Sequence, residues 1–256
     1  MTPHRVLFGV PVAATTLAEA LDRVDDAIAH REPLHIGVVN VAKLVNMRRE
    51  PLLREAVLAS DVIFADGMGV VWASRLLGQA LPARVAGIDL MLGMFERGSR
   101  KGYSVYCLGA TEDVLSRAVD TLSRTYPGVR VAGAHHGYFT PEQEPAIAAA
   151  IAAARPDILL VAMTSPRKEQ FLARWNDVMG ATVCHGVGGS FDVVAGEVAR
   201  APESWQRLGL EWLYRVKQEP RRLWRRYLVT NTIFLGLVCR EVARRALGRS
   251  AASSAS

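Results

Sequence analysis

The sequence predicts an α/β fold, a Rossmann-like and mainly parallel sheet with helices on both faces, followed by a helical C-terminal appendage that associates with membranes. Three observations point there. Short β-rich runs alternate with longer segments carrying apolar residues at helical spacing, the order that builds βαβ units. Several runs, such as DILLVAM at 157–163, are almost unbroken apolar stretches, as expected of strands covered on both faces. A chain of 256 residues that is 50% hydrophobic and 22% charged suits one large domain or a domain with an appendage and is not disordered by composition.

The elements follow in order. Leu17–Arg31 has a helical pattern and Leu34–Val39 a strand pattern. A short helix starts near Val41, and Pro51, a residue favoured at the first helical position, opens another. Strand Val62–Ala65 leads to helices at Gly67–Leu77 and Ile88–Lys101. Strand Ser104–Leu108, helix Thr111–Tyr126, strand Arg130–Ala134 and helix Pro141–Ala154 come next. Strand Ile158–Met163, helix Pro166–Met179 and strand Ala181–His185 complete the alternation. The expected units are a domain over 1–199, a basic, Trp-rich helical appendage over 200–249 and a disordered tail over 250–256.

The net charge of +6 is unevenly placed. Residues 200–256 hold twelve Lys+Arg and four Glu, a balance of +8, which leaves −2 for residues 1–199. The same segment carries Trp205, Trp212 and Trp224 of the five tryptophans, a composition that suits an anionic surface. Arg222, Arg225 and Arg226 share a helical face. From Tyr227 to Cys239 the chain is mostly apolar but too short for the roughly 20 residues that span a bilayer. It is expected to lie on a membrane through Leu223, Tyr227, Phe234 and Leu237, with a helix packed on the domain as the other reading. The N-terminal MTPHRVLFGVPV lacks the apolar core of a secretory signal. Cys107, Cys184 and Cys239 lie far apart without CxxC spacing, which points to three buried thiols in a reducing compartment.

In open α/β sheets, ligands bind beyond the carboxyl ends of the strands. The residues at those ends are Asn40, Asp66-Gly67, Gly109-Ala110-Thr111, His135-His136-Gly137-Tyr138, Thr164-Ser165-Pro166 and Gly186–Gly189. The glycine turns suit phosphate or plain strand–helix geometry. Asp66 could be a general base or a helix N-cap. Asp192 could accept hydrogen bonds from a base or ribose, or serve helix-start electrostatics. His135-His136 lacks a third metal ligand and reads as a solvated turn. The dinucleotide fingerprint, the P-loop, GxSxG, HExxH and Asp-x-Asp are all missing, which leaves dehydrogenase, kinase, serine hydrolase and zincin chemistry unsupported. A noncatalytic module binding anionic lipid or nucleic acid through 205–249 is the alternative from another class.

Eight segments in chain order resemble the bacterial WecG/TagA/CpsF family of glycosyltransferases. They are VVNVAKLV (38–45), ADGMGVVWASRLLG (65–78), RVAGIDL (84–90), YCLGA (106–110), GYF (137–139), PDILLVAMTSPRKE (156–169), GVGGSFDVVAGEVARAP (186–202) and GLEWLYRVKQEPRRLWRRY (209–227). The resemblance implies an inverting transfer of a hexose or N-acetylhexosamine from a UDP-sugar to a polyprenyl-diphosphate-linked sugar, in bacterial cell-surface or exopolysaccharide synthesis. It implies a cytoplasmic enzyme, peripheral on the inner face of the cell membrane, with no cofactor, no metal and no nucleic acid. It gives Asp66 the role of base and places Asn40, Arg84, Lys168, Arg215, Arg222 and Arg225 at the acceptor and diphosphate. It places Gly109, Tyr138, Gly188 and Asp192 at the UDP. Two departures from the family pattern stand out: Val38 in place of a common Thr, and Lys168 in place of the usual Gln of Pro-x-Gln-Glu. The Ser-Pro-Arg-Lys-Glu form is similar to an exopolysaccharide-type branch, which leaves the donor open between UDP-N-acetylmannosamine and UDP-glucose.

Overall fold

The computed structural model describes residues 3–253, with the side chains at 222, 246 and 248–253 and everything at 254–256 outside that description. It opens on an antiparallel hairpin, β1 (His4–Leu7) and β2 (Val10–Ala13), absent from the expected elements. Phe8 and Gly9 form the turn, both at positive φ (53° and 77°), the geometry of a two-residue turn whose twist matches the strands. Helix α1 (Leu17–His30) starts at a capping box: Glu19 N–H donates to Thr16 Oγ1 at 3.3 Å and Thr16 N–H to Glu19 Oε2 at 2.7 Å.

The central elements are β3 (Leu34–Val39), α2 (Val41–Asn46), α3 (Pro51–Leu58), β4 (Val62–Ala65), α4 (Met68–Leu76), α5 (Gly87–Lys101), β5 (Ser104–Gly109) and α6 (Glu112–Thr125). After them come β6 (Arg130–His135), α7 (Glu144–Ala154), β7 (Ile158–Ala162), α8 (Arg167–Met179), β8 (Val183–Gly186) and the single-turn α9 (Ser190–Val194). Six strands pair in the order β4-β3-β8-β7-β5-β6, every pair parallel, so all their carboxyl ends share one edge. The apolar run at 158–163 feeds both faces, as period-two geometry requires. Ile158, Leu160 and Ala162 join the core under α1, α5 and α6, while Leu159, Val161 and Met163 join the core under α7 and α8.

The appendage is α10 (Glu203–Arg207), α11 (Glu211–Gln218) and the 34-residue α12 (Pro220–Ser253). Here one expectation is corrected. Leu223, Phe234 and Val238 are buried, and the last two lie in the core that the hairpin shares with α2 and α4, with Leu237 packed on its margin. Phe234 meets Phe8 edge-on at 5.4 Å between centroids, and Arg245 donates to the Leu77 carbonyl. Phe234 and Leu237 of the set expected to face a membrane therefore cover the domain, closing an apolar face of the hairpin, α2 and α4, while half-buried Tyr227 packs on Trp212 of α11. A second correction concerns Cys239, which is exposed, whereas Cys107 and Cys184 are buried as expected. No helix among the described residues is long and apolar enough to cross a membrane.

Candidate active site

Backbone hydrogen bonds hold the loops beyond the strand ends at fixed depth. Asp66 N–H donates to the Val39 carbonyl at 2.8 Å, Ala110 N–H to Ala162 at 2.9 Å, Gly137 N–H to Ala110 at 2.8 Å and Val187 N–H to Val161 at 2.9 Å. Gly109 is required by this stitching, since at φ 130° a Cβ would sit 2.3 Å from the Ala162 carbonyl oxygen.

Asp66 leaves β4 half-buried. The residue at the N-cap of α4 is Gly67, at φ 122° and with no side-chain cap, so the Asp66 carboxylate does not cap the helix. Asn40 does cap: its Oδ1 accepts from Lys43 N–H at 3.0 Å at the start of α2. That bond turns α2 so that Lys43 points inward, and its Nζ donates to Glu169 Oε1 at 2.8 Å within the protein. Lys168 Nζ approaches the same oxygen at 3.5 Å. Two buried lysines thus share one buried carboxylate, and Glu169 Oε2 has no hydrogen-bond partner.

The electrostatics follow from that arrangement. Burial, and then the charge of Lys43, bring Lys168 down to about 8 against the opposing pull of Glu169 and Asp66. For Glu169 burial opposes ionisation, but Lys43 and Lys168 outweigh it and hold the carboxyl at about 2. His185, at the end of β8, is fully buried with Nε2 3.1 Å from the Gly87 carbonyl and Nδ1 unpartnered. Burial brings it to about 4, so the ring is neutral near pH 7 and its Nε2 carries the proton towards that carbonyl. The stem of Lys168 crosses Gly186, where a Cβ would lie 2.7 Å from its Cδ and Cε, and its ammonium lies 3.9 Å from a Cβ built on Gly188. The lysine is thereby aimed under the loop that follows β8.

Arg84 lies between domain and appendage. Its guanidinium donates to Glu211 and, at 3.0 Å, to Gln206 Oε1, and it lies 3.6 Å from Asp89. Arg200 also pairs with Asp89. Gln218 closes the join by bonding both backbone groups of Ala199, at 2.9 and 3.0 Å. Arg215 of α11 reaches the loop after β8, its Nη1 3.8 Å and the Asp192 carboxylate 3.3 Å from a Cβ built on Gly189. Arg225 is exposed on α12, and the side chain of Arg222 lies outside the described residues. Tyr138 stands out into solvent on a turn closed by its own N–H to His136 Nδ1 at 3.2 Å. His135 and His136 are used in that turn, and no group of three or more metal-ligating side chains occurs among the described residues.

The structure therefore gathers Asp66, Lys168, Gly188 and Arg215 along the edge formed by β4, β3 and β8, with Gly109 and Tyr138 further along the same edge. Sequence reading did not single out Lys43, Glu169 or His185. A cleft of about 470 Å³ adjoins Arg84, lined also by Met68 and Val71 of α4 and Gln206 and Arg207 of α10.

Comparison with known proteins gives two findings. The model of the glycosyl transferase WecG/TagA/CpsF family matches residues 5–248. Over 175 residues, 68% of this chain and 67% of the relative, the sequence is 40% identical to an N-acetylglucosaminyldiphosphoundecaprenol N-acetyl-beta-D-mannosaminyltransferase of Bacillus spizizenii.

Proposed function

Because the chain belongs to the WecG/TagA/CpsF family of glycosyl transferases, we propose that it moves a hexose or N-acetylhexosamine from a UDP-sugar to a polyprenyl-diphosphate-linked sugar, inverting the anomeric centre. The observation that carries this reading is a half-buried carboxylate, Asp66, at the sheet edge, close enough to the buried Lys168 to pull on its charge without pairing with it. The carboxylate can take a proton from an acceptor hydroxyl, and the cation can face negative charge as it develops.

In this mechanism the acceptor oxygen attacks the anomeric carbon as its proton passes to Asp66. The bond to the UDP oxygen breaks on the opposite side, which inverts the centre. Lys168 from below and Arg215 from α11 meet the charge on the departing diphosphate. Those cations supply leaving-group stabilisation, and transfer is expected to continue in excess chelator.

The decisive experiment offers a panel of UDP-sugars, UDP-N-acetylmannosamine and UDP-glucose first, with a prenyl-diphosphate-N-acetylglucosamine acceptor, with and without chelator. Donor-dependent formation of a disaccharide lipid supports the reading. Binding of generic polyanions without affinity for UDP would replace it with a noncatalytic lipid- or nucleic-acid-binding role.

A second observation supports action at a membrane surface. With its inner face covered by the domain, α12 turns Trp224, Leu228, Leu235 and Val242 outward, all exposed and recurring at helical spacing. Exposed Leu213 and Trp212 of α11, together with Arg221, Arg225 and Arg226, accompany them. Apolar residues flanked by guanidinium groups suit an anionic lipid surface.

A further inference from the structure

One buried carboxylate does not need two buried lysines. Lys43 enters from α2, and Lys168 and Glu169 from the first turn of α8; all three side chains are less than a tenth exposed. Two positive charges against one negative leave the cluster with a net positive charge inside the protein, where an unanswered charge costs stability. A structural ion pair would use only one of the lysines. The distances show which one is spent. Lys43 Nζ donates to Glu169 Oε1 at 2.8 Å, a full charge-assisted hydrogen bond. Lys168 Nζ stands off at 3.5 Å from that same oxygen, although Glu169 Oε2 has no partner. The Lys168 stem instead crosses Gly186, and its ammonium ends near Gly188, in the loop where Arg215 reaches Gly189. Asp66 attracts it from the end of β4. His185 of β8 and His35 of β3, the latter near Glu169, are both kept neutral near pH 7 by burial.

We propose that Lys43 is a positioning residue of the transfer: by taking the Glu169 carboxylate for itself, it keeps the Lys168 ammonium uncommitted, so that the cluster presents one net positive charge to the nucleotide's diphosphate. The assignment rests on the transferase reading above. Lys43 touches no substrate and acts through Glu169 and Lys168. Without it, Lys168 becomes the sole counter-ion of Glu169 and the pair is neutral. The like charge that eases the proton off Lys168 also disappears. The first effect weakens UDP near neutral pH. The second moves upward the pH at which UDP binding falls away.

The test measures UDP binding by calorimetry on the full chain, from neutral pH into the alkaline range. Lys43→Met keeps the length of the side chain and removes its charge. It is expected to weaken UDP about tenfold near neutral pH, the loss of one facing charge. It should also raise the midpoint of the alkaline decline from about 8 towards about 10, where a free lysine titrates. Lys43→Arg, which restores the cation, should recover most of the affinity and the wild-type midpoint. A merely structural Lys43 would lower the melting temperature of Lys43→Met and leave UDP affinity and midpoint in place, and that result overturns the assignment. Movement of only one of the two readouts overturns it as well. Should Lys43→Met fail to fold, Lys43→Gln is measured against the same expectations. A wild-type chain that binds no UDP at any pH removes the transferase reading and this assignment together, whereas wild-type UDP binding in Lys43→Met removes the assignment alone.

Discussion

At the scale of residues, the site divides by how local its signals are. Asp66 is legible because an acid directly after an apolar strand and before glycine falls at a parallel sheet's carboxyl edge. The Lys43–Glu169 pair is not legible, since its partners lie 126 positions apart and only the meeting of α2 with α8 joins them. Removing the carboxylate tests the base directly: Asp66→Asn should reduce kcat to background with the melting temperature unchanged, and near-normal turnover would take Asp66 out of the reaction. Lys168 gives a pH dependence. It is surrounded by Lys43, Glu169, Asp66 and His185, and it loses its proton as pH rises through about 8, where a free lysine stays charged to about 10. Transfer should therefore decline above about pH 8, and Lys168→Gln should lower kcat/KM and flatten that alkaline limb. Profiles of equal shape would mean that the ammonium takes no part. The same cluster has a structural side. Glu169→Gln leaves two buried lysines without a counter-ion and is expected to cost about 3–5 kcal/mol in denaturant unfolding.

At the scale of elements, period and punctuation gave the six central strands and their intervening helices close to their observed bounds, because each run is long, apolar and bounded by turn residues. The hairpin escaped for a local reason. Its strands are four residues each, and its turn is Phe8-Gly9, not the Asn-Gly or Asp-Gly pair that marks such turns. Helix α12 shows the limit of pattern reading. An apolar stripe at helical spacing fits a membrane and a protein core equally well, and only the packed structure shows that Phe234 and Val238 face inward while Trp224 and Leu228 face outward. The two faces should separate by mutation. Phe234→Ala is expected to destabilise the chain by about 3–5 kcal/mol through loss of buried volume, whereas Leu235→Ser, on the exposed face, should leave unfolding nearly unchanged.

At the scale of the whole molecule, the appendage is tied to the domain by three kinds of contact: the Arg84 and Arg200 pairs, the Gln218 clamp, and the apolar insertion of α12. Truncation before residue 204 would remove Glu211, Gln206 and Phe234 together, so it would confound membrane contact with stability. Surface changes are cleaner. Replacing Trp224 and Leu228 together by serine should reduce sedimentation with vesicles containing anionic lipid, while UDP binding and the melting temperature remain as in the parent. Retained sedimentation would move the lipid-binding surface elsewhere. The basic charge of residues 200–256 was legible from composition, but its anchoring was not, because that depends on contacts between segments more than 100 residues apart.

Phe8 resting on Phe234, in the core that the hairpin and α12 share, ties the earliest strands to the final helix. Anything done near residue 4, whether a purification tag, a clipped start or a fused partner, acts on the helix bearing Arg225 although that helix lies more than two hundred positions downstream. Engineers who need a free attachment point would do better at the C-terminal end of α6, near Arg124, the opposite end of that helix from the Gly109–Thr111 loop.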